Sequence, residues 1–454
     1  MRWLVLLLML PAVARAQFDY TTNNGTLTVT GYTGPGGAVA IPDTINGLPV
    51  TTIGGYVFYN RTSLTSVTIP NSVTSIGLGA FLDCTSLTSV TIPGNVTSIE
   101  GAVFSGCTSL TSVTIPGGVT GIGEGTFYRC TSLSSVRIPS GVSNIGRFAF
   151  SYCSSLTSVT IPSSVTKIDN YAFLDCTRLT SVTIPDSVTL IGDWAFRGCI
   201  GLTNVTISDS VTDIGSDAFY HCSSLANVVI PGSVTNIAYG AFSGCTSLLA
   251  INVDVGNSRY ASVDGVLFNK SRTTLIQCPG GKTGNYTIPS SVISIGGEAF
   301  YSCTSLTSVT IPSSVIHIGY AFGSCTSLQR VDFLGIRPSI VGIVEELVFP
   351  GATNATIYYL PGTTGWGPTF GGRPTALWKP LVQAGDSSFG VRTNQFGFNI
   401  SWASGRVVVV EACTDLAQPI WSPVGTNTLT DGSSYFSDPQ WTNHPARFYR
   451  LRSP

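Results

Sequence analysis

Charge is scarce in this sequence. Asp, Glu, Lys and Arg make up only 10% of the 454 residues, against about 25% in ordinary globular proteins. The two signs nearly cancel, leaving a formal net charge of -1. This balance lacks the basic footprint of a nucleic-acid binder and gives no electrostatic anchor to anionic lipid. Histidine occurs three times. His221, His317 and His444 are scattered, and they read as exposed surface residues. No Cys-x-x-Cys pair occurs and no His accompanies the cysteines, so the usual zinc arrangement is missing. No Gly-x-Ser-x-Gly occurs, so the many serines have no nucleophile elbow. Gly280-Gly281-Lys282-Thr283 ends like a phosphate-binding loop, but the required earlier glycine is replaced by Ile276, and a polar turn is the better reading. Glu345-Glu346 is the lone acidic pair of its neighbourhood and suits a solvated turn better than an acid–base couple. No catalytic residues, no metal and no cofactor are expected, and the protein is read as not an enzyme.

Long apolar runs are also lacking: after the first residues nothing approaches the roughly 20 that a membrane helix needs. The start differs. Arg2 stands before the apolar stretch Trp3 to Leu10, and Ala14-Arg15-Ala16 follows. That order predicts a secretory signal peptide over residues 1–16, cut after Ala16. The remainder is expected to be exported, without a transmembrane segment. Ser and Thr take over its polar positions, so its surface should be rich in hydroxyls and poor in ions.

Repetition is what the sequence has in abundance. Cys84, Cys107, Cys130, Cys153, Cys176, Cys199, Cys222 and Cys245 recur every 23 residues. A phenylalanine column runs beside them: Phe58, Phe81, Phe104, Phe127, Phe150, Phe173, Phe196, Phe219, Phe242, then Phe300 and Phe322, eleven rungs in all. Self-similarity of this length marks a solenoid. In one rung, Leu87, Val90 and Ile92 follow an L-x-x-L-x-L strand pattern with apolar residues inward. Pro93 closes the strand, because proline cannot donate to a ladder. Val96 and Ile99 begin a second inward segment. Glycine comes next in most rungs (Gly77, Gly123, Gly146, Gly192), where it is expected to permit a turn. Phe104 and Cys107 then complete the core, and stacking supplies the stability that no single rung has. In-register cysteines would stand about 5 Å apart, within disulfide range. Their side chains point in parallel, however, among Leu, Ile and Phe, so free, inert thiols are expected.

The fold class expected is mostly β: a solenoid of about eleven 23-residue rungs with a small C-terminal β-sandwich. Residues 17–50, with a hairpin signal at Asn23-Asn24-Gly25, form an N-terminal cap. Residues 51–334 are the solenoid, with a hairpin excursion near 251–288. Residues 335–380 are a C-terminal cap and linker, and residues 381–454, a run of short strands, are the sandwich. Trp402, Trp421 and Trp441 fall in that last module, where core positions are the favoured reading over a sugar-stacking platform.

The rung I-P-x-x-V-T-x-I-G-x-x-A-F-x-x-C-T-S-L-T-S-V-T, followed closely by Ile161 to Thr183, resembles the BspA-type leucine-rich-repeat family of bacterial secreted and surface proteins. The likeness runs from about Ala38 to Phe333. Arg61 in place of a rung cysteine and Ser208 in place of a strand-end proline depart from it. The excursion Tyr260 to Pro279 is similar to an insertion common in the family, and the terminal segment to β-modules that end many exported bacterial proteins. The resemblance implies a leucine-rich-repeat solenoid, secreted or cell-surface placement, and adhesion or protein binding for some members.

The candidate binding surface is the outward file Thr68, Thr91, Thr114, Arg137, Thr160, Thr183 and Thr206, with Thr310 at the same rung position. Threonine suits an exposed strand without any ligand. The functional reading is a regular hydroxyl and methyl surface for an extended protein or glycan partner on a cell surface or matrix, with Arg137 as its specific contact. The alternative is an architectural spacer or matrix protein displaying the terminal module. A monomer is expected.

Overall fold

Most rungs carry Leu, Val and Ile in and beside one short strand, and those three side chains can be buried only from one face. The computed structural model, which describes residues 17–342 and 344–454, shows how they are. The expected signal peptide, residues 1–16, lies outside the described residues. Two compact units divide the chain: one holds the residues up to Thr283 with Ser294–Ser305 and Gly319–Thr326, the other Gly284–Ile293, Leu306–Ile318 and Ser327–Pro454.

In the first unit a ten-stranded parallel sheet runs through Gly37–Ala40, Leu64–Thr68, Ser89–Thr91, Ser112–Thr114, Ser135–Arg137, Ser158–Thr160, Ser181–Thr183, Asn204–Thr206, Asn227–Ile230 and Ala250–Val253. The register is one rung per strand, as in Val113 opposite Val136. Leu87, Val96, Phe104 and Cys107 are fully buried, and Val90 and Ile92 nearly so, as the inward positions require. After each strand the chain turns: Val96 donates to the Pro93 carbonyl, and Val119 to that of Pro116. Two-residue strands such as Asn144–Ile145 and Lys167–Ile168 then form a second parallel ladder. The antiparallel hairpin Phe18–Asn23 with Thr26–Tyr32 lies beside Leu48–Ile53, and this sheet runs on in parallel through Ser75–Ile76 to Ser98–Ile99, separate from the ladder that starts at Gly121–Ile122.

The third side of the coil has no strands and is still laddered. Tyr171, Phe173 and Asp175 donate their N–H groups to the carbonyls of Asp193, Ala195 and Arg197 in the next rung, at 2.7–2.8 Å. Two residues of each rung there, four apart, are left-handed: Phe148, Tyr171 and Trp194 have φ of 55°, 62° and 60°, and Arg129, Tyr152 and Asp175 have 58°, 60° and 54°. Each such residue carries a strain of about 1–2 kcal/mol, which the inter-rung hydrogen bonds offset. The glycines predicted to permit a turn do something else. Gly77, Gly123, Gly146 and Gly192 keep negative φ, and a Cβ on them would stand 2.6–3.0 Å from backbone or side-chain atoms of the preceding rung. They allow close approach between rungs.

Inside the coil the phenylalanines form one file from Phe58 to Phe242, each ring stacked on the next at centroid distances of 5.0–5.6 Å. The interruption after Ile251 is an antiparallel hairpin, Tyr260–Val263 with Val266–Asn269, turned by Asp264 and Gly265. Val266–Asn269 also pairs with Thr274–Gln277, which rejoins the parallel order beside Ser294–Ile295.

In the second unit the sequence repeat fades after Cys325, yet parallel pairing goes on from Leu306–Ile311 through Arg330–Phe333 and Thr356–Tyr359 to Arg373–Leu377. A strand needs only a partner edge and alternate apolar residues such as Val331 and Ile357, both fully buried, to join the stack. Two antiparallel sheets end the chain, one built on Gln395–Ser401 and Ser433–Asp438, the other on Val407–Cys413, Ser422–Thr428 and Phe448–Arg452. They share a core of Phe398, Ile400, Trp402, Val408, Val410 and Phe436. The described residues contain no α-helix, and no helix long and apolar enough to cross a membrane.

Candidate functional site

The outward file is assembled by the register of the ten-stranded sheet. Thr68 stands opposite Thr91, Thr91 opposite Thr114, Thr114 opposite Arg137, Arg137 opposite Thr160, and Thr183 opposite Thr206. All seven residues are exposed, because each follows an inward valine in a strand whose side chains alternate. Ser89, Ser112, Ser135, Ser158 and Ser181 are exposed alongside. The file ends where Val229, 57% exposed, takes the threonine position. Thr310 lies in a different sheet, that of the second unit.

Two kinds of threonine emerge. In the column Thr88, Thr111, Thr157, Thr180 and Thr203, with Ser134, each hydroxyl donates to the carbonyl one rung earlier at 3.1–3.3 Å. These hydroxyls stitch rungs together. Those of Thr68, Thr91, Thr114, Thr160, Thr183 and Thr206 have no hydrogen-bond partner among the described residues, and Arg137 has no ion-pair partner there. The sequence distinguishes the two columns only by strand position: the stitching residue sits beside the buried Leu, the outward one beside the buried Val.

The other candidate chemistry is placed plainly. All twelve cysteines are free and buried. Each thiol of the regular ladder donates to the carbonyl of the phenylalanine 26 residues earlier, as Cys176 does to Phe150 at 3.1 Å and Cys84 to Phe58 at 3.0 Å. Burial pushes the thiols of Cys84 and Cys245 up to about 12, and it raises those between them well above the usual thiol range. A thiol held protonated is a poor nucleophile. Without reductant, the regular eight should therefore resist an alkylating reagent in the native protein and all react in denaturant. Mass shifts in pairs, showing bridges, would contradict this.

Of the histidines, His317 and His444 are exposed, but His221 is half-buried between the Tyr220 and Tyr301 rings, and burial lowers its pKa. It occupies a left-handed turn position, which an outward reading of the histidines overlooks. Gly280 and Gly281 are no phosphate cradle: a Cβ on them would come within 2.5 Å of the Cys245 carbonyl and 2.9 Å of that of Leu248. Glu345 pairs with Arg337 and accepts from the Gly371 N–H. Trp402 is core, its Nε1 donating to the Trp378 carbonyl, while Trp421 lies under Arg450 and Trp441 donates to Asn394. The three indoles form no common platform.

The family model for the BspA type leucine rich repeat region matches in six copies over residues 51–180, 166–283 and 278–364. The chain belongs to this BspA-type leucine-rich-repeat family. Among solved structures, a leucine-rich repeat protein from Bacteroides ovatus is 28% identical, covers 76% of this chain and 94% of its own, and superposes with a TM-score of 0.53. A leucine rich cell surface protein from Faecalibacterium prausnitzii is 30% identical over 77% of this chain and 88% of its own, with a TM-score of 0.45. Comparison with curated proteins gives no match. BspA-type repeats form a scaffold, which accords with the even, rung-by-rung construction described above and points to a repeat-based interaction role.

Proposed function

We propose that this BspA-type protein is an extracellular, non-enzymatic adhesion or interaction protein, which binds an extended protein or glycan partner along Thr68, Thr91, Thr114, Arg137, Thr160, Thr183 and Thr206. One observation carries the reading: in a surface where other threonines spend their hydroxyls on rung-to-rung bonds, this file leaves its own without a protein partner. The spacing of about 4.8 Å between successive strands offers an extended ligand a repeated, shallow set of hydroxyl and methyl contacts. Arg137 adds a guanidinium able to grip a carboxylate or sulfate in two-point fashion. Export by the expected signal peptide and placement at or beyond the cell surface fit a hydroxyl-rich exterior. The protein itself, immobilised as the mature chain, should retain a partner from extracellular matrix proteins or from a glycan array. Failure to retain any protein or polysaccharide would favour the spacer reading, in which the solenoid only displays the terminal sheets.

A further inference from the structure

The turn side of the coil carries chemistry unlike the hydroxyl-rich remainder. Four successive rungs contribute to a cleft of about 380 Å³ there: Gly101, Ala102 and Gly125 leave a notch between Leu78 on the earlier rung and Phe148 on the later, with Tyr128 beside it. Leu78 is 42% exposed. Ser105, Glu124 and the hydroxyl of Tyr128 are the polar side-chain groups of the lining. Both aromatic walls carry a guanidinium. The Arg129 Cζ lies 5.2 Å from the centroid of the Tyr128 ring, and that of Arg147 lies 4.8 Å from the Phe148 ring. Both arginines are exposed, and neither has an ion-pair partner among the described residues.

These features select a ligand. An apolar notch of this size takes one side chain. A guanidinium stacked on a ring is already positioned, so it loses little freedom on meeting a carboxylate. Tyr and Arg are the residues that dominate binding energy at protein interfaces. A sugar ring needs hydrogen-bond partners all around its edge, and Ser105, Glu124 and the Tyr128 hydroxyl are few for that in a lining otherwise apolar.

We infer that this cleft binds a protein segment that inserts one apolar or aromatic side chain and presents an adjacent carboxylate to Arg129 and Arg147. The inference shares with the proposed function only the idea of an interaction protein. Its residues belong to the turn segments, so failure of either surface leaves the other standing.

The test uses an array of decapeptides, each with a single Phe, Tyr, Trp or Leu flanked by Asp or Glu, probed with the full chain. Three variants are compared: Arg129→Ala with Arg147→Ala, Leu78→Ala, and, outside both the cleft and the threonine file, the exposed Arg178→Ala. All change exposed side chains, and retained thermal unfolding confirms that they fold. Acidic-flanked peptides should bind, and affinity should fall about tenfold or more in the double arginine variant. It should fall in Leu78→Ala and stay unchanged in Arg178→Ala, while the same peptides with Lys flanks should not bind. The proposal is overturned if no acidic peptide binds, if binding survives both cleft variants, or if a sulfated polysaccharide is held by the same arginines while the peptides are not.

Discussion

Phe150→Ala should lower stability by about 3–5 kcal/mol, the range of a large aromatic truncation in a core that cannot collapse. Phe150 is fully buried and stacks on Phe127 and on Phe173, both at 5.3 Å. Relaxation into the vacated space is opposed on three sides, since the rungs are pinned by two strand ladders and by the turn-side hydrogen bonds. The Phe150 N–H donates to Ala172, and its carbonyl accepts from the Cys176 thiol. In a stack where each repeat touches only its neighbours, a weak central rung should also divide the cooperative unit. Guanidinium denaturation followed by circular dichroism should show a lower midpoint and a broadened or split transition. A loss below about 1 kcal/mol would mean that the phenylalanine file is not the core.

Asn257→Ala should cost roughly 2–4 kcal/mol, more than a loop asparagine would. Asn257 is fully buried where the regular ladder gives way to the hairpin. Its Nδ2 donates to the carbonyls of Pro231 and Val234, at 2.7 and 2.9 Å. Its Oδ1 accepts from the N–H groups of Arg259 and Tyr260, both at 2.8 Å. Alanine leaves two buried carbonyls and two N–H groups without that partner. Asn257→Asp should be worse, because it keeps the acceptor but sets a negative charge against two carbonyl oxygens. Hydrogen exchange should then show faster opening of Tyr260–Asn269 before global unfolding. Equal stability of both variants and the parent would contradict the role given to this side chain.

The inward half of each rung was legible in the sequence because its determinants are repeated side chains. Leu87, Val90, Ile92, Phe104 and Cys107 recur at fixed spacing, and burial of a recurring apolar set leaves one arrangement. The placement of Thr68 to Thr206 on one face follows from the same alternation. The turn side was not legible, because its conformation comes from backbone bonds made by the next rung and tolerates Phe148, Trp194, Arg129 or Asp175 alike. Glycines at equivalent places, Gly79, Gly125 and Gly240 in one column and Gly106, Gly198 and Gly244 in the other, were the hint of left-handed geometry. Gly146 misled for a related reason: its small size serves an approach by the preceding rung, which no single-rung reading contains. The cleft between Leu78 and Phe148 was hidden because its walls stand in a column whose residues vary from rung to rung. The parallel pairing of Thr356–Tyr359 and Arg373–Leu377, within the segment expected as cap and linker, was not legible because strands need alternation more than they need the consensus.

The assignment of inward and outward positions underlies both the fold and the proposed binding face, and Arg137→Ala tests it in one paired measurement of denaturation midpoint and partner affinity. Arg137 ends a strand whose inward residue is Val136, and it stands exposed between Thr114 and Thr160. Its removal should change stability by no more than about 1 kcal/mol, as for other exposed charges, while weakening the partner retained by the parent chain. A loss of stability as large as that of Phe150→Ala would place the side chain inside the coil and take the outward threonine file away with it.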